Sequence, residues 1–317
     1  MEYRSELRVA VLMGGFGGER EVSLKSGRAV ARGLRQAGHD ALPYDVTDAE
    51  LPGLEELRPD VAFVALHGRF GEDGAVQQRL ERRRIPYTGS GPEASRRGMD
   101  KLASKRLFVR HSVPTADYFA VEAEQDSAHA EKSALDFGFP LVCKPACGGS
   151  SLGVTLMERP EQLADALSRA QQHGDTVLVE RLVRGREFTV GILEGEPLPM
   201  VELVVERDFF DYEAKYEDEN TRYLTPVALL HTVYRRARDA AVRAYRALGC
   251  RHMARVDLMY GRDGDVYVLE VNTIPGFTPR SLLPMAAAEA GVAFSELCDR
   301  LVRAALRDAE RESRRSA

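Results

Sequence analysis

Residues 254–272 constrain this chain more tightly than any other stretch. Ala254 to Tyr260 and Val266 to Asn272 are two runs in which polar and apolar side chains interleave, joined by Gly261-Arg-Asp-Gly-Asp265. The pattern predicts two antiparallel strands closing through a short turn. Side chains in a strand alternate faces with period two, so Arg255 and Asp257 share one face of the first strand and Glu270 and Asn272 one face of the second. Val256, Leu258, Val268 and Leu269 to Val271 supply the apolar side. If the polar faces coincide, Asp257, Glu270 and Asn272 converge as hard oxygen ligands, the donor set that magnesium on a nucleotide's phosphates takes. On spacing alone, the same alternation also suits a hairpin carrying ordinary surface charge toward water.

The rest of the chain supplies the body that such a hairpin packs into. At 317 residues and 44% apolar content it is long enough for two or three packed units. Leu7 to Met13 is an apolar run ending in Gly14-Gly15-Phe16-Gly17-Gly18, followed by a helical pattern with Val22, Ala29, Val30, Gly33, Leu34 and Ala37 on one face. With short strands expected at Ala41 to Val46 and Val61 to Leu66, residues 1–97 read as an open, doubly wound α/β domain for substrate. Its loops Gly14 to Arg20 and His67 to Gly74 face one crevice.

Residues 98–186 read as a smaller α+β lobe. A helix is expected from Lys101 to about His111, with strands near Ala116 to Val121, Leu141 to Lys144, Val154 to Met157 and Thr176 to Glu180. Residues 187–317 hold a strand from Phe188 to Leu193, a Glu-Gly-Glu turn, a polar segment 206–220, a helix from about His231 to Leu248, and the hairpin. The charged end, Arg307 to Ala317, is expected to fray.

Charge and cysteine content exclude several classes of function. Acids and bases, 49 against 44, are interspersed, so no basic stripe stands ready for a nucleic-acid backbone. No window reaches the roughly 18 apolar residues of a membrane span, and the start lacks a signal-peptide core, which predicts a cytoplasmic protein. The four cysteines, at 143, 147, 250 and 298, form neither a disulfide framework nor a zinc pattern. Cys147 stands out because it lies in a glycine-rich loop.

That loop, Lys144-Pro-Ala-Cys-Gly-Gly-Ser-Ser-Leu-Gly153, follows a predicted strand. Its three glycines permit close backbone approach to phosphates, Ser150 and Ser151 offer hydroxyls and N–H groups, and Lys144 a point charge. Taken alone, the segment suits a plain turn equally well. It lacks the Walker A spacing, and Gly14 to Arg20 fails GxGxxG because Arg20 stands where the last glycine belongs, so neither P-loop nor dinucleotide chemistry is supported.

In order and spacing these pieces resemble the D-alanine–D-alanine ligases of the ATP-grasp superfamily, over nearly the whole chain. The resemblance rests on Gly14-Gly15 with Glu19-Arg20-Glu21-Val22-Ser23, Ala65-Leu66-His67-Gly68-Arg69, Gly71-Glu72-Asp73-Gly74 and Tyr87-Thr88-Gly89-Ser90-Gly91. It continues through Met99-Asp100-Lys101, the Lys144 to Gly153 loop, Asp211-Tyr212-Glu213-Ala214-Lys215-Tyr216, Arg255 to Asp257, and Glu270-Val271-Asn272-Thr273-Ile274-Pro275-Gly276.

The resemblance implies an ATP-grasp fold of two lobes, 98–186 and 187–317, preceded by the α/β domain. It implies ATP-dependent joining of two D-alanine molecules through a D-alanyl phosphate, releasing ADP and phosphate, for a peptidoglycan precursor. It assigns Glu19 to the ammonium of the first D-alanine with His67 close by, and Ser281 with Leu282 to the carboxylate of the second. Lys101, Lys144 and Ser151 fall to the ATP phosphates, Glu180 to the surroundings of the adenine amino group, and Glu187 to the ribose. Asp257, Glu270 and Asn272 would bind two Mg2+ or Mn2+ ions. Arg255 and the N–H of Gly276 face the oxyanion, Ser150 and Tyr216 join the catalytic set, and Lys215 sits on a lid over the γ-phosphate. The family also implies a homodimer through the first domain.

This sequence departs from many relatives at Cys147-Gly148, where they carry a charged or polar residue. Tyr216 stands where the D-alanine–D-lactate relatives carry histidine, which favours an amine over a hydroxyl nucleophile. A non-catalytic nucleotide-binding module is the rival of another class. Retention of Lys144, Lys215, Arg255, Asp257, Glu270 and Asn272 argues against it.

Overall fold

The computed structural model describes residues 6–123, 127–149, 152–204 and 222–316. Strand β1 (Arg8–Gly14) is buried at every position after Arg8 and lies between β2 (Asp40–Val46) and β3 (Val61–Val64) in a parallel sheet of order β2-β1-β3. Helix α1 (Arg20–Gln36) makes the crossover from β1 to β2. Val9 and Val11 face one core and Ala10 and Leu12 another, so both faces of the sheet are covered and the strand reads as a continuous apolar run.

Helices α2 (Ala75–Arg82) and α3 (Pro92–Met99) lead to α4 (Lys101–Arg110). Asp100 separates α3 from α4 and caps the latter, accepting the N–H groups of Leu102 and Ala103, each at 3.0 Å. That cap fixes where Lys101 leaves the backbone. Next come β4 (Tyr118–Glu122), α5 (Ser127–Phe137), β5 (Leu141–Pro145), β6 (Thr155–Met157), α6 (Leu163–Gln171) and β7 (Thr176–Arg181). The strands form an antiparallel sheet of order β4-β7-β5-β6. Leu141, Cys143, Val177 and Val179 turn to a core shared with α5 and α6, while Leu178 and Ala146 face Leu102 of α4.

The third sheet has order β10-β9-β8-β11-β12, from β8 (Gly185–Leu193), β9 (Glu196–Val204), β10 (Arg222–Leu224), β11 (Met253–Gly261) and β12 (Val266–Asn272). Helix α7 (His231–Leu248) packs Ala237, Ala241 and Ala244 on its apolar face. Helices α8 (Leu282–Glu289) and α9 (Phe294–Ser316) place Leu283, Leu297 and Leu301 in one core with Val9, Val11 and Phe63 of the first sheet and Leu193 and Met253 of the third.

Two departures from the sequence reading have physical causes. Strand β9 was not expected, because Pro197 and Pro199 hide its pattern. The register slips opposite Gly191, between the pairs Val190–Met200 and Ile192–Pro197, and this bulge accommodates Pro199 inside the sheet. The charged end does not fray: α9 remains helical to Ser316. Its acids serve as partners elsewhere, Asp308 to His252 at 3.0 Å and Glu312 to Arg251 at 3.5 Å.

Candidate active site

The hairpin register decides whether the polar faces coincide. Arg255 stands opposite Asn272 and Asp257 opposite Glu270, so all four side chains leave the same face. The register then slips, pairing Leu258 with Val268 and leaving Leu269 as the extra residue. The bulge turns Leu269 into a large cleft beside Met259.

Arg255 donates from Nε and Nη2 to the two oxygens of Asp257 at 2.8 and 2.7 Å, with both side chains buried. Asn272 Oδ1 accepts the N–H of Ile274 at 3.0 Å, which fixes the amide's orientation. Glu270 lies 3.8 Å from Lys101 Nζ. Both oxygens of Asp257 and the amide oxygen of Asn272 keep a second lone pair. Among the described residues no cluster of three or more His, Cys, Asp or Glu suits a metal. Two carboxylates plus an amide oxygen nevertheless form an all-oxygen set, which fits a hard divalent cation and not zinc.

The large cleft, about 1090 Å³, and a smaller one, about 320 Å³, share the wall formed by Met99, Lys101, Gly148, Gly149 and Glu270. Lys101 ties the glycine loop to α4, since its backbone N–H donates to Ala146 O at 2.8 Å and its ammonium donates to Gly148 O. Arg181 to Val183, Glu187, and the apolar pair Met259 and Leu269 also line the large cleft. Apolar side chains such as Met259 and Leu269 suit the faces of a flat heteroaromatic group.

Lys144 and Glu180 belong to the wall of the large cleft. Lys144 donates to Glu180 Oε1, and Lys105 Nζ lies 2.7 Å from Oε2. Burial alone would raise the Glu180 carboxyl, but Lys144 and Lys105 outweigh it and hold the group below the ordinary carboxylate value. Glu180 therefore stays charged. Cys147 reaches the cleft, where desolvation and Asp100 raise its thiol above the usual value and keep it protonated.

The small cleft gathers Glu19, His67, Gly68, Arg255, Gly276, Ser281 and Leu282 on shared walls. Glu19 begins α1 and Gly68 has φ +67°; a Cβ at Gly68 would fall 2.2 Å from Glu19 Oε2, so the carboxylate occupies space only glycine leaves. His67 Nε2 meets Ser26 Oγ at 3.2 Å, and Ser26 Oγ accepts the N–H of Phe277 at 3.3 Å. Glu72 Oε1 stands 3.4 Å from His67 Nδ1 and accepts the N–H of Gly68 at 3.1 Å. Ser281, the N-cap of α8, accepts Thr278 N–H at 3.0 Å, and a Cβ on Gly276 would meet its Oγ at 3.1 Å.

The structure thus brings Glu19, His67, Arg255, Gly276, Ser281 and Leu282 to one cleft, Lys144, Glu180, Glu187 and Asp257 to the other, and Lys101 and Glu270 to their junction. Asn272 belongs to the small cleft. Ser150, Ser151, Lys215, Tyr216 and the segment 206–220 lie outside the described residues. Sequence reasoning assigned no role to Lys105, Ser26 or Glu72. Lys105 follows Lys101 by one helical turn, a spacing that places both on the same side of α4.

Comparison with known proteins bears on this geometry. The family model described as D-ala D-ala ligase C-terminus matches residues 107–303, and the one described as D-ala D-ala ligase N-terminus matches residues 49–90. A protein named D-alanine–D-alanine ligase from an Anaeromyxobacter species is 48% identical over 296 residues, covering 93% of this chain and 96% of its own length. The crystal structure of D-alanine–D-alanine ligase from Bacillus anthracis matches with a TM-score of 0.86 and 35% identity, over 96% of this chain and 99% of the other. The Bacillus anthracis structure complexed with ATP matches with a TM-score of 0.85 and 33% identity, over the same shares of the two chains.

Proposed function

The chain belongs to the D-alanine–D-alanine ligase family, and on that premise we propose that it condenses two molecules of D-alanine at the expense of ATP, through a D-alanyl phosphate that releases ADP and phosphate. The observation that carries this reading is the junction of the clefts: Lys101 and Glu270 stand where a triphosphate in the larger cleft would meet an amino acid in the smaller.

The chemistry follows from what these groups can do. A carboxylate is a poor electrophile, so its oxygen must first take the terminal phosphoryl group. Glu19 would hold the ammonium of the first amino acid with His67 beside it, which aims the carboxylate toward the junction. Lys101 and Lys144 would hold the phosphates, with Ser151 and Lys215 assigned to the same ligand, while Glu187 takes the ribose and Glu180 sits near the adenine amino group. Asp257, Glu270 and Asn272 would hold Mg2+ or Mn2+, which when bound neutralises phosphate charge and orients the phosphoryl group.

A second amino acid, its carboxylate at the Ser281 N-cap and Leu282, then presents its amine to the acyl carbon. Arg255, held by Asp257, and the Gly276 N–H would meet the oxyanion that develops, a role that the Arg255–Asp257 pair supports for the guanidinium. Ser150 and Tyr216 complete the proposed catalytic set. Closure of segment 206–220 over the site would keep water from the acyl phosphate. We assign 1–97 to the substrate domain and 98–186 and 187–317 to the ATP-grasp lobes, a division supported by the three sheets, which follow it but for the first two residues of β8. A cytoplasmic homodimer supplying a peptidoglycan precursor completes the proposal. No helix among the described residues is long and apolar enough to cross a membrane.

The test is phosphate release by the purified protein with ATP and magnesium, offered D-alanine, L-alanine, or D-lactate with D-alanine. Release that requires D-alanine alone, with the dipeptide as product, is expected. Release driven by D-lactate would move the assignment to depsipeptide synthesis, and no release with any substrate would overturn it. A single monomeric sedimentation boundary at working concentration would remove the dimer.

A further inference from the structure

One buried cation beside the large cleft has no place in the scheme above. Lys105 is 1% exposed and is not part of the cleft wall, which its neighbours Ala116, Lys144 and Glu180 form. Its ammonium donates to Thr115 Oγ1 at 2.7 Å and to Ala116 O at 3.1 Å, and stands 2.7 Å from Glu180 Oε2, near enough for a direct ion pair though not aligned as a hydrogen bond. Thr115 in turn donates to Val268 O at 2.9 Å, so the ammonium is held between α4, the approach to β4, and the third sheet. Across the same carboxylate, Lys144 faces the cleft and donates to Oε1.

Burial lowers the Lys105 ammonium from its ordinary value while Glu180 pulls it back up, and with the ion pair formed the arrangement is a row of charges, Lys105 (+1), Glu180 (−1) and Lys144 (+1), whose sum is +1. Without Lys105 the sum is zero, and Lys144 becomes one half of a neutral buried pair with little field to offer a ligand. With Lys105 behind the carboxylate, the row presents a full positive charge at the face that meets the cleft. We propose that Lys105 is a positioning residue that neutralises Glu180 from behind, so that the charge of Lys144 remains available to a nucleoside triphosphate. The inference rests on the reading that ATP occupies the larger cleft. It separates Lys105 from a residue that merely fills and braces the core, because a charge acts on the phosphates and not on the nucleoside.

The experiment compares the full-length protein with Lys105→Met, Lys105→Arg, Glu180→Gln and the Lys105→Met/Glu180→Gln pair. Binding of ATP with magnesium and of adenosine is measured by calorimetry, alongside KM for ATP and for D-alanine and the thermal midpoint. Lys105→Met is expected to weaken ATP about tenfold to thirtyfold, as loss of one charge at this range implies at an intermediate dielectric. Adenosine binding and KM for D-alanine should change by less than about twofold. Lys105→Arg should keep the ratio of ATP to adenosine affinity, and the double variant, whose row again sums to +1, should recover most of it.

Equal weakening of ATP and adenosine in Lys105→Met, or a double variant no better than the single, would overturn the proposal. If Lys105→Met melts below the assay temperature, Glu180→Gln decides alone. Its row sums to +2, so a higher ATP to adenosine ratio would support the idea and an unchanged or lower ratio would count against it. Failure of the unsubstituted protein to bind ATP would instead remove the assignment of the cleft itself.

Discussion

Arg255 and Asp257, two residues apart on β11, close a two-point ion pair at 2.8 and 2.7 Å with both side chains buried. Alternation brings them to one face, and burial makes each depend on the other. Removing Asp257 takes two charge-assisted hydrogen bonds from the buried guanidinium, which costs about 1.5 to 3 kcal/mol. Asp257→Ala is therefore expected to lower the unfolding free energy by that order and to abolish phosphate release. Arg255→Met should lower turnover by about 10²- to 10³-fold, as loss of an oxyanion partner does. Denaturant unfolding and phosphate-release assays check both. An Asp257→Ala protein of unchanged stability would show that the pair is not held in solution.

Gly68 separates function from stability. A methyl group there would fall 2.2 Å from Glu19 Oε2, the far end of a flexible side chain, so the carboxylate and not the backbone would yield. The positive φ adds a cost of about 1 kcal/mol for a side-chain-bearing residue. Gly68→Ala is expected to raise KM for D-alanine about tenfold or more while KM for ATP moves less than about threefold. Parallel increases in both constants would show that Gly68 serves the whole fold and not the Glu19 site.

Much of this was legible in the hairpin because period-two alternation places residues on faces without any knowledge of the fold. Arg255, Asp257, Glu270 and Asn272 could be placed on a common face if the two strands paired in register, and they do. The bulge that turns Leu269 into the large cleft was not legible, since a register slip depends on both strands at once. Strand β9 was hidden for a related reason: its prolines are tolerated only because the sheet bulges around them. Ser26, Glu72 and Lys105 had no signal as single residues. Their roles come from partners far away in sequence, such as Phe277 for Ser26 and Glu180 for Lys105.

His252 should make the protein sensitive to acid. Its Nδ1 accepts the N–H of Gly89 at 3.1 Å and its Nε2 faces Asp308 at 3.0 Å, so the neutral ring joins β11 to the Gly89 turn and to α9. Burial and Arg251 push its pKa down to about 4, against a contrary pull from Asp308. Because the folded value lies below the unfolded one, near 6.5, the unfolded chain takes up the proton first. The contribution is fully present above about pH 6.5 and is lost progressively as pH falls to about 4, amounting to about 3 kcal/mol. Denaturant unfolding between pH 7 and 4 should show this loss, and His252→Gln should flatten the part of the slope that this residue supplies. Identical slopes for the two proteins would count against the assignment.

Ser26 links the two halves of the small cleft. Glu72, an acceptor 3.4 Å from His67 Nδ1, favours the ring proton on Nδ1; Nε2 is then the acceptor of the Ser26 hydroxyl, whose oxygen also accepts Phe277 N–H. The same hydroxyl therefore holds the His67 ring and anchors the peptide following Gly276. Ser26→Ala would leave Phe277 N–H without its acceptor and release the imidazole, at a cost of about 1 to 3 kcal/mol. Both KM for D-alanine and kcat should suffer, each by about tenfold, while KM for ATP stays within about twofold. Ser26→Thr, which keeps the hydroxyl, should recover the larger part of both. Loss of kcat alone would leave His67 oriented by Glu72 without help, whereas loss of neither would place the Gly276 loop under the control of Ser281.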